Sequence, residues 1–201
     1  MASITVYKGS ENGAIVEAKV EKPKLKADEV LLQVTHSGLC GTDVHYKGAD
    51  MVLGHEGVGV VEAVGSGVTL FKKGDRAGWG YNHHCCGHCE QCLSGNDVYC
   101  PERQMYGDAD LDQGSMASHA TWSESFLFHI PEEMASDHAA PLQCGGVTVS
   151  ETTAKCTRTI LTKAGIQCIA VVPSEGGRQS WYYRRWWPRS SGHSICSEDG
   201  L

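Results

Sequence analysis

Residues 57–65 read Gly57-Val58-Gly59-Val60-Val61-Glu62-Ala63-Val64-Gly65, a β-branched run interrupted by glycine. It is predicted to be a strand whose glycines suit a bend or a close backbone approach. No helical pattern follows it, so the glycines are not read as a phosphate-binding loop. Toward the N-terminus, short runs alternate in the same way: Ile4-Thr5-Val6-Tyr7, Ala14-Ile15-Val16-Glu17-Ala18-Lys19-Val20 and Glu29-Val30-Leu31-Leu32-Gln33-Val34. Toward the C-terminus, Gly67, Gly74, Gly78 and Gly80 continue the punctuation. The expected fold class is therefore mainly β, a small barrel or sandwich, with one short helix beginning near Gly41.

The whole chain has 201 residues, 41% of them hydrophobic and 20% charged. That composition supports one or two soluble domains with a real core. No apolar run approaches the 18 or so residues of a spanning helix, and Met1–Gly9 lacks a basic flank followed by an apolar stretch. A cytoplasmic protein with no membrane association is the expectation. Ten Cys and ten His then demand an explanation. In a reducing compartment, clustered Cys are metal ligands more often than disulfides.

The charge is uneven. Residues 1–150 carry 10 basic and 20 acidic side chains, net −10, whereas residues 151–201 carry 7 and 4, net +3. A segment so acidic has no surface to neutralise phosphates, so no nucleic-acid partner is expected.

Residues 81–100 contain Cys86-x2-Cys89-x2-Cys92-x7-Cys100. Three sulfurs can converge from one tight loop and the return segment supplies the fourth, closing a tetrahedral zinc site with no open position. Such a site is structural. Iron–sulfur clusters use similar runs at other spacings, and a disulfide framework does not suit the compartment. Cys85, His83, His84 and His88 are expected to be solvent-facing neighbours.

Elsewhere, Cys40-Gly41-Thr42-Asp43-Val44-His45, then Gly54-His55-Glu56-Gly57, then Pro141-Leu142-Gln143-Cys144-Gly145-Gly146 offer Cys, His and Cys. A Cys2His set with a fourth place open is one known form of catalytic zinc, able to polarise a bound alcohol. Each residue alone has a plainer reading: a small core cysteine, or a hydrogen-bonded histidine.

Taken together, Cys-Gly-Thr-Asp-x-His, Gly-His-Glu-Gly, the four-Cys run and Pro-Leu-x-Cys-x-Gly-x-Thr-Val at 141–149 resemble the zinc-dependent medium-chain alcohol dehydrogenases. The likeness is closest to their cinnamyl-alcohol-dehydrogenase-like branch and covers roughly residues 3–150. It implies a GroES-like β-barrel catalytic domain over 1–150, with a zinc lobe at 81–100. It also implies two zinc ions per chain: a catalytic one on Cys40, His55 and Cys144, and a structural one on Cys86, Cys89, Cys92 and Cys100. By the same resemblance, Thr42 hydrogen-bonds the alcohol oxygen and His45 continues a proton relay to water. Glu56 approaches the metal when water exchanges, and Asp43 orients a ligand imidazole. The plainer alternatives are a solvated Glu56 and a turn-capping Asp43. The intact family enzyme transfers hydride between a primary or aromatic alcohol or aldehyde and NAD(P), and is a homo-oligomer.

The resemblance stops after residue 150, where the family's Rossmann domain would carry G-x-G-x-x-G. In its place stand Glu151-Thr152-Thr153-Ala154-Lys155-Cys156 and, later, Trp181-Tyr182-Tyr183-Arg184-Arg185-Trp186-Trp187-Pro188. Trp has one codon, TGG, so the triplets shifted by one base at Trp181, Trp186 and Trp187 must read GGT, GGT and GGC, all glycine. Allowed codons elsewhere turn residues 180–192 into V-G-I-I-G-V-G-G-L-G-H-L-A, a Rossmann-like strand and turn. Residues 151–201 are therefore expected to be an aberrant, frameshifted and disordered tail, leaving the chain truncated and inactive. The alternatives are a non-catalytic zinc-binding fragment or pseudogene product, and a stand-alone interaction domain.

Overall fold

The computed structural model describes residues 3–21 and 24–148 in full, together with the backbone of 167–173 and 179–185. The first two strands, β1 (Ser3–Lys8) and β2 (Val16–Glu21), form an antiparallel hairpin. A larger sheet is organised by β3 (Glu29–Gly38) and β4 (Gly57–Val64), paired antiparallel along most of their length. Outside β4 lie β5 (Arg76–Trp79) and then β9 (Phe128–His129), while the first half of β3 pairs on its other edge with β8 (His119–Ser123). Among the described residues every strand pair is antiparallel.

The strands fall where alternation placed them, and the core explains why. Val30, Leu32, Val34, Val61, Ala77, Trp79, Ala120, Trp122 and Leu127 meet in one cluster, each strand sending alternate residues inward. Trp79 and Trp122 lie 5.7 Å apart between centroids at its centre. Two irregularities in the β3/β4 register, at Leu31/Leu32 and Val34/His36, bend the pair. Met51 through Gly59 is buried without a break, so the segment entering β4 carries His55 and Glu56 into the interior.

Three short helices complete the described part: α1 (Gly41–Tyr46), at the expected place, α2 (Glu90–Leu93) and α3 (Ser136–Pro141). α3 runs into a π-helical turn, Leu142–Gly146, that holds Cys144. A small ribbon of β6 (Asn82–His84) and β7 (Gln104–Met105) frames the four-cysteine lobe. No described helix is long and apolar enough to cross a membrane.

Two tail segments, 167–173 and 179–185, are described by their backbone. β10 (Gln167–Pro173) and β11 (Gln179–Arg185) form a hairpin, and β10 adds to β3 at Cys168↔Gly38 and Ile169↔Ser37. The reason lies in two features. β10 contains the strand-forming run Ile169-Ala170-Val171-Val172, and β8 covers β3 only as far as Gln33, leaving its far edge free to accept a strand. The other tail positions, Trp186 and Trp187 among them, lie outside the described residues.

Candidate metal centres

The four-cysteine lobe is assembled locally. Cys89 precedes α2, Cys92 sits on it, and a 3-10 turn, Asp97–Tyr99, brings Cys100 back. One ligand atom from each of Cys86, Cys89, Cys92 and Cys100 lies within 4.8 Å of the others. Sγ to Sγ distances of 3.9 Å for Cys86–Cys92 and 3.5 Å for Cys89–Cys92 bracket the ~3.8 Å separating corners of a tetrahedron with 2.3 Å metal–sulfur bonds. Backbone amides point at the sulfurs, from Cys89 to Cys86 at 3.4 Å and from Glu102 to Cys100 at 3.3 Å. The His88 backbone amide is the main influence lowering the Cys86 thiol to about 6, whereas removal from water pushes the Cys92 thiol up. All four are free thiols. Four thiolates that close repel one another unless a cation sits between them, so the set suits a structural metal ion.

The second cluster is gathered from three distant segments. Cys40 caps α1, His55 and Glu56 enter β4, and Cys144 comes from the π-helical turn; one ligand atom of each lies within 4.8 Å of the rest. His55 is completely buried and its Nε2 has no hydrogen-bond partner. A buried imidazole nitrogen without a partner beside two thiols is what a zinc ion would satisfy, and the residues present fit that ion.

The other ring nitrogen is fixed. His55 Nδ1 lies 3.0 Å from Asp43 Oδ1, and Asp43, itself buried, also accepts hydrogen bonds from the Cys40 amide at 2.9 Å, the Gly54 amide at 3.2 Å and the Tyr106 hydroxyl at 2.9 Å. Gly54 makes the approach workable. Its φ of +94° lies in the left-handed region, and a Cβ there would strike Ser115 and Met116. Burial opposes charge on His55, but the hydrogen bond with Asp43 and the negative charge of Asp43 and Cys144 outweigh it, raising it to about 11. Burial also pushes the Glu56 carboxyl up to about 7, against the pull of His55. Room for that carboxyl exists only because residue 38 has no side chain: a Cβ on Gly38 would collide with it.

Each expected site residue can now be placed. Cys40, His55 and Cys144 converge, as do Cys86, Cys89, Cys92 and Cys100. Asp43 contacts the ligand imidazole, and Glu56 is buried in the cluster rather than solvated. The Thr42 hydroxyl accepts a hydrogen bond from Cys40 Sγ at 3.6 Å. His45 is exposed, one turn of α1 beyond Thr42 and outside the gathered ligand atoms. His83 corrects an expectation. Rather than facing solvent it is buried, 4.2 Å from the Trp122 ring and 3.1 Å from Asp110 Oδ2, because β6 turns it beneath the lobe.

Sequence reasoning passed over the aromatic surround of His55. The Tyr106 ring lies 4.7 Å from the imidazole at 32°, and Tyr81 meets it edge-on at 5.4 Å. Burial and a hydrogen bond with Tyr46 push the Tyr81 hydroxyl up to about 12. The only local signal was the Trp79-Gly80-Tyr81 stretch leading out of β5.

An antiparallel barrel with a thiol-rich lobe and an interior Cys–His–Cys cluster defines a GroES-like catalytic domain. The family model for the alcohol dehydrogenase GroES-like domain matches residues 26–132, and the chain belongs to that family, in the cinnamyl-alcohol-dehydrogenase-like part of the zinc-dependent medium-chain alcohol dehydrogenases. An alcohol dehydrogenase of Geobacillus stearothermophilus is 41% identical over 138 residues, covering 65% of this chain and 40% of that protein. A solved cinnamyl alcohol dehydrogenase of Sorghum bicolor superposes with a TM-score of 0.69 at 32% identity, covering 76% of this chain and 47% of that one. The cobalt- and zinc-bound thermostable alcohol dehydrogenase of Pyrobaculum aerophilum gives 0.69 at 25% identity, covering 79% and 50%. The chain spans about two fifths of the length of the curated relatives it matches.

Proposed function

We propose that residues 1–150 are the zinc-binding catalytic half of an alcohol dehydrogenase that interconverts a primary or aromatic alcohol and its aldehyde, with NAD(P) as hydride partner in the whole enzyme. The observation that carries this reading is the convergence of Cys40, His55, Glu56 and Cys144 around an unpartnered, fully buried His55 Nε2. Bound there, zinc would supply Lewis-acid polarisation of a substrate oxygen. The protein's own groups do the rest. Asp43 holds His55 in the tautomer that presents Nε2. The Thr42 hydroxyl, beside Cys40, takes the alcohol proton and passes it to His45, whose exposed ring hands it to water. Glu56, kept in reserve by burial, offers a carboxylate to the metal when water is exchanged. In the lobe, Cys86, Cys89, Cys92 and Cys100 hold a second, structural zinc. A cytosolic homo-oligomer with no nucleic-acid partner completes the proposal.

A second reading is favoured by the sequence of residues 151–201, which carries no G-x-G-x-x-G. In that reading the 201-residue chain is a non-catalytic zinc-binding product of a shifted frame. One experiment separates the two readings from an error in the site. Residues 1–150 are joined to the dinucleotide-binding half of a relative, and nicotinamide-linked oxidation of benzyl and cinnamyl alcohols is followed for the hybrid and for the 201-residue chain. Turnover by the hybrid alone supports both the site and the incomplete-chain reading. Turnover by both removes the second reading, and a folded, zinc-loaded hybrid without turnover contradicts the site.

A further inference from the structure

Asp43 is a buried carboxylate beside His55, and its burial must be compensated by donors. Three of its four come from its own neighbourhood or from the ligand itself: the Cys40 amide, the Gly54 amide and His55 Nδ1. The fourth is Tyr106, which lies more than sixty residues away in sequence and follows β7 at the edge of the four-cysteine lobe. Its hydroxyl does two things at once. It donates to Asp43 Oδ1 at 2.9 Å and accepts from the Gly54 amide at 2.9 Å. Meanwhile its ring lies against the His55 imidazole, and Tyr46 packs edge-on against its far side, 5.4 Å away.

We propose that Tyr106 is a positioning residue for the catalytic metal site: its hydroxyl ties Asp43 to the Gly54 amide, and so locks the tautomer and tilt of His55 that aim Nε2 at Cys40 and Cys144. The inference rests on the ligand set proposed above. It also links the two metal centres physically, since Tyr106 is carried by the segment returning from the lobe. The Tyr106 ring fills space in any reading; the hydroxyl matters only if the Asp43–His55 orientation matters. Partners that orient a metal-bound histidine commonly affect metal affinity by about 10–100-fold, and a loss in that range is expected for Tyr106→Phe.

The test uses the full chain, zinc competition against a chromogenic chelator, and the imidazole nitrogen resonances of His55 in uniformly labelled protein. Wild type should release zinc in two phases, and Cys40→Ser should abolish the weaker one. Tyr106→Phe should weaken that same phase about 10–100-fold, leave the lobe phase unchanged, and replace the single Nδ1-protonated His55 form with a broadened or mixed pattern. Tyr106→Leu, which also removes the ring, should lose at least as much. If Tyr106→Phe matches wild type in both readouts while Tyr106→Leu loses zinc, only packing matters and the proposal fails. Loss of both zinc phases in Tyr106→Phe would also overturn it, by showing a role in folding. A wild type with a single zinc phase, or a Cys40→Ser protein that keeps both, would instead defeat the ligand set itself.

Discussion

The two candidate metal centres are built from similar atoms by opposite means. In the lobe, four sulfurs come from fifteen consecutive residues, 86–100; Cys86, Cys89 and Cys92 are half-buried and Cys100 is buried, and amides of their own loop point at them. In the barrel, Cys40, His55 and Cys144 span more than a hundred residues and depend on β4, α1 and the turn after α3 being correctly packed before they meet. A metal bound in the lobe would shape the lobe, whereas the interior site is shaped by the fold. Removing a lobe ligand should therefore damage structure, and removing an interior ligand should damage chemistry.

The largest expected effect is on the lobe. Cys92→Ser leaves three thiols crowded without a complete shell, and because structural zinc contributes folding energy directly, the protein should lose about 3 kcal/mol or more of stability. For a chain of this size that is a fall of ~10 °C in Tm, measurable by circular dichroism alongside lower soluble yield. Comparable losses for Cys92→Ser and Cys40→Ser would erase the distinction between the centres.

Next comes the proton path. In the hybrid enzyme, Thr42→Ala should lower kcat by about 10²–10⁴ while zinc content and Tm stay close to wild type. An unchanged kcat would remove Thr42 from the relay. A smaller effect is expected from Gly38→Ala, whose methyl group must displace the Glu56 side chain; overpacking of this kind costs about 1–3 kcal/mol. Thermal unfolding would register it, and an unperturbed Tm would mean that Glu56 is free to move.

The smallest effect concerns the hydrogen bond between His83 and Asp110. The hydrogen bond from His83, ahead of all other influences, lowers the Asp110 carboxyl below its ordinary value of 3.8. A carboxyl lowered by folding stabilises the protein at pH values above its unfolded pKa, and that contribution disappears as pH falls through the folded value. Asp110→Asn keeps the left-handed backbone (φ +50°) that Asn tolerates. It should cost less than about 1 kcal/mol near pH 7, since the carboxylate is partly exposed to solvent. The deficit should shrink below about pH 4. A deficit that grew with acid would reverse the assigned sign.

The contrast between the centres also explains what could be read in advance. Cys86, Cys89, Cys92 and Cys100 announce themselves by spacing, because one loop does all the gathering. β1, β3 and β4 were legible from alternation, since each has one face in the core, and α1 from the break after Cys40. The interior site is different: nothing local to Cys144 says that a π-helical turn will carry it to His55, and only the resemblance joined the three segments. Tyr106 had no pattern at all and Tyr81 only its place after Trp79-Gly80; both are single aromatic residues in loops whose role depends on packing across the barrel. His83 was misplaced because its burial comes from Trp122, nearly forty residues away.

The central claim, that one small barrel holds two zinc ions in two different ways, is tested most directly by metal analysis of the anaerobically purified chain and its Cys40→Ser variant. The account predicts about two zinc ions in the first and about one in the second, with superimposable far-ultraviolet circular dichroism. Iron in place of zinc, a single zinc in the wild type, or a Cys40→Ser protein that keeps two would contradict it.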